Sequence, residues 1–131
     1  MKKIVISGSI KFMDHMHEMK QYLMSQDFHV ILPTRIPGEV ETSEFKKAHN
    51  VIKEYYEEIK TSNALLVANH TKNDILNYIG GNTLLEMGFA FIHDIPIFLL
   101  NPIPEMQYTP EIEALSPIIL DGDYQRIVNY L

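Results

Sequence analysis

The chain contains no cysteine, which excludes disulfides, thiolate nucleophiles and cysteine-ligated zinc. Basic residues are scarce too: 11 lysines and arginines stand against 17 aspartates and glutamates, a net charge of -6. Without a basic patch to neutralise phosphates, a nucleic-acid polymer is not an expected partner, although a local nest of N–H groups can still hold one small anion. No apolar run approaches bilayer-spanning length, and Met1–Ser7 turns polar too early for a secretion signal, so no membrane partner and a cytoplasmic location are expected. Neither Gly-x-Gly-x-x-Gly after the first strand nor Gly-x-x-x-x-Gly-Lys-Ser occurs, so the dinucleotide and nucleoside-triphosphate fingerprints are absent. The six histidines, His15, His17, His29, His49, His70 and His93, include no i, i+4 pair enclosing a carboxylate, and neither metal nor cofactor is expected. A serine hydrolase would require Gly-x-Ser-x-Gly at a strand-to-helix turn, and Ser7-Gly8-Ser9 lacks the second glycine.

What remains describes one globular domain. A length of 131 residues with 46% apolar and 21% charged side chains supports a single core over residues 1–131. Strand-like and helix-like patterns alternate. Ile4-Val5-Ile6 is a β-branched strand ending in the turn Ser7-Gly8-Ser9, and Phe12, Met16, Met19 and Leu23 recur at helical spacing to about Gln26. Phe28 to Leu32 forms a second strand stopped by Pro33, and Thr34 to Ser43, with Pro37-Gly38, reads as a surface loop. Phe45, Ala48, Ile52, Tyr55 or Tyr56, and Ile59 mark the next helix. Ala64 to Ala68 is almost wholly apolar, as befits a central strand covered on both faces. A helix through Glu86, a fourth strand at Ile95 to Leu100, a proline-rich loop from Asn101 to Pro110, a short helix near Glu111 to Leu115, a fifth strand at Pro117 to Leu120 and a final helix from about Asp123 complete the chain. The fold class predicted is α/β, a flavodoxin-like (Rossmann-like) five-stranded parallel sheet with helices on both faces and ligands at the carboxyl ends of the strands.

That topology brings the loops Ser7 to Ile10, Asn69 to Gly81 and Asn101 to Gln107 to one crevice. Within it, Tyr78 to Ala90 carries the most chemistry, because Glu86 is a lone carboxylate among Leu84, Leu85, Met87, Gly88 and Phe89. Gly80 and Gly81 allow close backbone approach to a ligand, and Asn82 is a good N-cap that would start the helix. Glu86 then lies about one turn in, on the stripe of Ala90. It points either into the crevice or to water, where it would complement the helix dipole. The Ser7-Gly8-Ser9 turn offers hydroxyls and N–H groups to a phosphate or sugar, with Gly8 for close approach; the bland alternative is a simple turn. Tyr55, Tyr56 and Tyr78 can stack on a base or serve as half-buried core.

The Gly8-Ser9-Ile10 turn, the run Ile59-Lys60-Thr61-Ser62-Asn63 before the third strand, and Gly81 to Ala90 with its Glu86-x-Gly88-x-Ala90 core together resemble the nucleoside 2-deoxyribosyltransferase superfamily, including its deoxynucleoside 5′-monophosphate N-glycosidases. The resemblance extends to Asp123-Tyr124. It implies a small-molecule nucleoside or nucleotide substrate, with Glu86 as nucleophile at C1′ while the base departs, and water or a second base resolving the glycosyl-enzyme. It also implies that Ser7, Gly8, Ser9 and Ile10 receive a 5′-phosphate. Gly88 and Ala90 would let the helix pack close to the sheet. A homo-oligomer, a dimer or higher, would complete the site through Tyr108 or Thr109. The chain departs from the family pattern at Tyr55 and Asn63, where aspartates are usual, and at Gly80, where the transferases carry an acid. Asp74 is a substitute proton donor unless it merely forms a turn. A non-catalytic nucleotide-binding module of the same fold is the competing reading.

Overall fold

The computed structural model describes residues 1–33, 42–48 and 50–131, without the side chains of Phe45, Lys46 and Ala48. Among them, five strands form one parallel sheet: β1 (Lys3–Ser7), β2 (His29–Ile31), β3 (Ala64–Val67), β4 (Ile97–Leu99) and β5 (Ile118–Ile119). Their spatial order is β2-β1-β3-β4-β5, the doubly wound arrangement that the alternating pattern predicts. The register pairs Ile4 with Val30 and Ala64, and Ser7 with Val67. β1 and β3 therefore end side by side in the middle of the sheet.

Strand alternation divides the core into two layers. Ile4 and Ile6 face a cluster with Met13, Met16, Met19 and Leu23 of α1 (Met13–Ser25) and Ile127 of the carboxyl-terminal 3-10 segment Tyr124–Tyr130. Val5, Leu65 and Val67 face the opposite cluster, built with Ile59 of α3 (Val51–Lys60), Met87 and Ala90 of α4 (Gly81–Ile92) and Ile112 of α5 (Thr109–Ala114). Each fully buried aliphatic side chain contributes about 1.5–3 kcal/mol. Four of the methionines, Met13, Met16, Met19 and Met87, are such filler.

Three boundaries differ from expectation. The helix expected to run from Phe45 to Ile59 is two helices, α2 (Ser43–Ala48) and α3. Asn50, a residue type that tolerates left-handed backbone, separates them at φ 54°. Within α3, Tyr55 is the buried one of the two candidate tyrosines, and Ile52, expected to face inward, is 40% exposed. Second, α4 is capped by Gly80 in extended conformation, with Leu84 N–H bonded to the Gly80 carbonyl at 2.9 Å, so Asn82 lies inside the first turn instead of capping it. Third, the last helix is 3-10, begun by the Asp123 carboxylate accepting Gln125 N–H at 3.0 Å. The expected loop at Thr34 to Ser43 lies almost wholly outside the described residues, as does His49; Ser43 opens α2.

Candidate active site

Ser7 is the last residue of β1, and strand alternation turns its side chain to the α4 side of the sheet, the side of Val5. It is 0% exposed. Its hydroxyl donates a hydrogen bond to Oε1 of Glu86. Glu86 itself is half-buried on the second turn of α4, a helix pinned to the sheet by buried Thr83, Met87 and Ala90. The carboxylate thus stands at the carboxyl end of the central strand pair, inside the fold's usual ligand edge. The contact turns the carboxylate toward β1. Ser7, expected to serve a ligand from the first turn, instead serves Glu86.

Tyr55 lies close by. Its ring is 8% exposed, and its hydroxyl donates to the Ile6 carbonyl, just beyond the last β1–β2 pairing at Val5 and Ile31. Burial pushes the phenol well above its ordinary value, and the negative charges of Glu86 and then Glu58 add to that. Tyr55 is therefore a core residue sealing the sheet beside Glu86, with its ring packed in the core and not offered as a stacking surface.

The three loops expected to share the crevice are tied to one another. Lys72 of the loop after β3 donates to Ser9 of the first turn at 2.9 Å. Asn69, 1% exposed, bonds the Asn101 and Pro102 carbonyls of the loop after β4, and Asn101 bonds back. Tyr108 donates to the Ile79 carbonyl, and Thr109 joins the Met106 N–H and the Pro104 carbonyl at 2.7 Å each. The hydroxyls of Tyr108 and Thr109, expected to reach a neighbouring subunit, are thus used within their own chain.

Other expected site residues take distinct places. Gly8 sits in a tight place, where a Cβ would stand 3.1 Å from the Ala68 carbonyl oxygen and 3.3 Å from the Ala68 Cβ. Ser9 caps the 3-10 turn Ile10–Phe12 by accepting Lys11 N–H at 3.3 Å, and Ile10 packs on the α1-side core. Gly81 is exposed with open space about it. The same openness at Gly88 corrects the expectation that this glycine lets α4 approach the sheet; Ala90, fully buried, does so. Asp74 is exposed at φ 61°, next to Asn73 at φ 53°, in the two-residue turn joining the bridged Lys72 and Ile75. Asn63 sits at the amino end of the sheet, exchanging hydrogen bonds with Lys3 at 2.8 Å each way. Its departure from the family pattern therefore removes nothing from the crevice.

Sequence reasoning missed two features. His15 of α1 and His70 after β3 meet ring to ring, Nδ1 to Nε2 at 2.6 Å, although they are 55 positions apart. Burial, then the neighbouring charge of His15, lowers the His70 pKa. The reciprocal Asn69–Asn101 contact was also missed; its one sequence signal is that an asparagine stands two residues beyond the end of both β3 and β4. Among the described residues no group of three or more histidines, aspartates and glutamates is placed to hold a metal, and no helix is long and apolar enough to cross a membrane. A cleft of about 570 Å³ lies between α2, α3 and α4, lined by residues including Ile52, Tyr56 and Phe89. Glu86 is not among its lining residues, so the cleft does not define the carboxylate site.

No protein-family model matches the sequence, and no curated protein does. Solved structures do share its fold. A conserved protein from Enterococcus faecalis V583 superposes with TM-score 0.63 at 14% identity, over 98% of this chain and 96% of that one. The CMP N-glycosidase of Clostridium botulinum gives 0.55 at 12% identity over 99% and 100%. A 2-deoxyribosyltransferase from Bacillus psychrosaccharolyticus gives 0.55 at 23% identity over 74% and 70%. The chain has the flavodoxin-like fold that these proteins share.

Proposed function

We propose that the protein cleaves the N-glycosidic bond of a nucleoside or its 5′-monophosphate, with Glu86 as the nucleophile. The observation that carries this reading is the place of Glu86: a half-buried carboxylate on a helix packed against the sheet, hydrogen-bonded to Ser7 at the carboxyl end of β1, where the first of the crevice loops begins. The solved structures of like fold support the reaction class, since one is a deoxyribosyltransferase and another an N-glycosidase acting on CMP.

In the proposed reaction a Glu86 oxygen forms a bond to C1′ as the C1′–N bond breaks. The base leaves with the bonding electrons and takes a proton from solvent or from Asp74, whose turn belongs to the loop after β3. Water then attacks C1′, gives up its proton and releases the carboxylate; a second base in place of water makes the reaction a transfer. Gly81, open to solvent at the start of α4, leaves room for a ligand beside the helix N-terminus, and the Ser9 turn is the candidate receiver of a 5′-phosphate.

The test is incubation with a panel of ribo- and deoxyribonucleosides and their 5′-monophosphates, with free base measured by chromatography. Release that falls at least about a thousandfold in Glu86→Ala while binding persists supports the reading. Binding without release from any member of the panel would point to the nucleotide-binding module instead.

A further inference from the structure

We propose that Ser7 is a positioning residue for Glu86: its hydroxyl fixes the rotamer of the carboxylate and favours the charged form that attacks C1′. The proposal rests on the glycosidase reading and adds to it a residue that nothing in the glycine-rich motif around Glu86 contains.

Three independent features meet at Ser7. The first is its cost. β1 is otherwise apolar after Lys3, and a fully buried hydroxyl in a central strand is unfavourable unless it is hydrogen-bonded. An alanine would fill the same strand position without that penalty, so the hydroxyl has to be explained by its partner. That partner is Glu86.

The second is rigidity. Ser7 is held by register to Val67, and its carbonyl accepts Ala68 N–H at 2.8 Å, so its Cβ cannot wander. Glu86 rides on a helix whose Thr83, Met87 and Ala90 are buried. With both backbones fixed, the hydroxyl-to-carboxylate bond restricts the side-chain torsions of the glutamate from the β1 side. Holding a reacting group within a fraction of an ångström of its productive position is what such a supporting contact does for catalysis.

The third is electrostatic. Glu86 is half-buried, and it lies near enough to buried Tyr55 for its charge to raise the phenol. Such a setting disfavours the anion, and a hydrogen bond donated to the anion opposes that effect. Nearby, the Tyr55 hydroxyl is committed to the Ile6 carbonyl. Ser7 is thus the donor through which β1 itself stabilises the charge.

The experiment needs no substrate for its first measurement. Carbon-13 NMR on protein labelled at glutamate side-chain carboxyls, with Glu86→Gln assigning the resonance, follows the titration of Glu86 in the native protein, Ser7→Ala and Ser7→Thr. The expected result is an upward move of the Glu86 midpoint by about one pH unit in Ser7→Ala, the effect of one hydrogen bond to a charged group, with near-native behaviour in Ser7→Thr. The second measurement uses the nucleoside or nucleotide that releases base. There Ser7→Ala should lower kcat about 10- to 100-fold with KM changed less than about threefold, and should move the acidic limb of the rate profile upward. An unchanged Glu86 midpoint in folded Ser7→Ala overturns the proposal, as does an unchanged kcat where Glu86→Ala abolishes turnover. Base release that survives Glu86→Ala overturns the glycosidase reading instead, and the NMR result then still decides whether Ser7 controls the carboxylate.

Discussion

Asn69 and Asn101 hold each other in both directions. The Asn69 amide donates to the Asn101 carbonyl and the Asn69 side-chain oxygen accepts Asn101 N–H, each at 2.9 Å, while the Asn101 amide returns a bond to the Asn69 carbonyl at 3.0 Å. Two loops that leave different strands are thereby one structural unit. The crevice edge is held by side chains standing in for the ladder bonds that end with the strands.

Asn69→Ala removes the donor and acceptor at a site 1% exposed and leaves Asn101 N–H without its acceptor. The expected loss of unfolding free energy is about 2–4 kcal/mol. Urea titration read by circular dichroism checks it, and a loss below about 0.5 kcal/mol would show the contact to be dispensable.

Tyr55→Phe keeps the ring and deletes the hydroxyl's bond to the Ile6 carbonyl and its longer one, 3.5 Å, to the Ile31 carbonyl. A destabilisation of about 1–2 kcal/mol is expected. The native phenol titrates above the ordinary value of 10.0 because of burial first and the charge of Glu86 second. The unfolded chain therefore loses this proton before the folded one does, and stability falls as pH rises above about 10. In Tyr55→Phe that alkaline decline should be shallower, as measured by denaturant midpoints between about pH 9 and 11.

The His15–His70 contact gives the opposite slope on the acid side. Burial and then the charge of His15 lower the His70 pKa below 6.5, so beneath that value the unfolded state binds the proton first. Stability is complete above about pH 6.5 and declines as pH falls through the folded value. Protonation also opposes the contact directly, because two imidazolium rings cannot offer an acceptor to each other. Thermal unfolding from about pH 7.5 to 5 should show this decline in the native protein and a flatter one in His70→Phe.

Two glycines of the site should respond oppositely to alanine. Gly8→Ala places a Cβ 3.1 Å from the Ala68 backbone oxygen, and a shift of packed strands to relieve it costs about 1–3 kcal/mol. Gly81→Ala meets nothing within 4 Å and, at the start of a helix, should stabilise by about 0.4–1 kcal/mol. If ligand passes over Gly81, that variant binds nucleotide more weakly while melting higher. Calorimetry of binding and of unfolding on the same protein separates the two effects.

Much of the architecture was legible because the apolar pattern is strong. Ile4-Val5-Ile6 and Ala64 to Val67 could hardly be anything but central strands, and the crevice loops follow from strand order. The inward setting of Glu86 was half legible: its apolar neighbours indicated it, but a strand 79 residues away supplied the partner. Helix continuity failed at Asn50, where one left-handed residue separates two helices, and of the inward positions expected in the second, Tyr55 and Ile59 are buried while Ile52 is not. The start of α4 failed because local preference ranks Asn82 above Gly80 as a cap, whereas the helix begins at Gly81 with Gly80 capping it. His15 with His70 has no local signal, because their meeting depends on how α1 and the loop after β3 are docked.

The two-layer parity of β1 limits how this lineage can change. Inserting or deleting one residue between Lys3 and Ser7 would exchange the strand's layers, sending Ile4 and Ile6 toward α4 and the serine toward α1. Length variation there is confined to steps of two, or to a bulge that restores the phase, whereas the loops beyond the strand ends are under no such arithmetic.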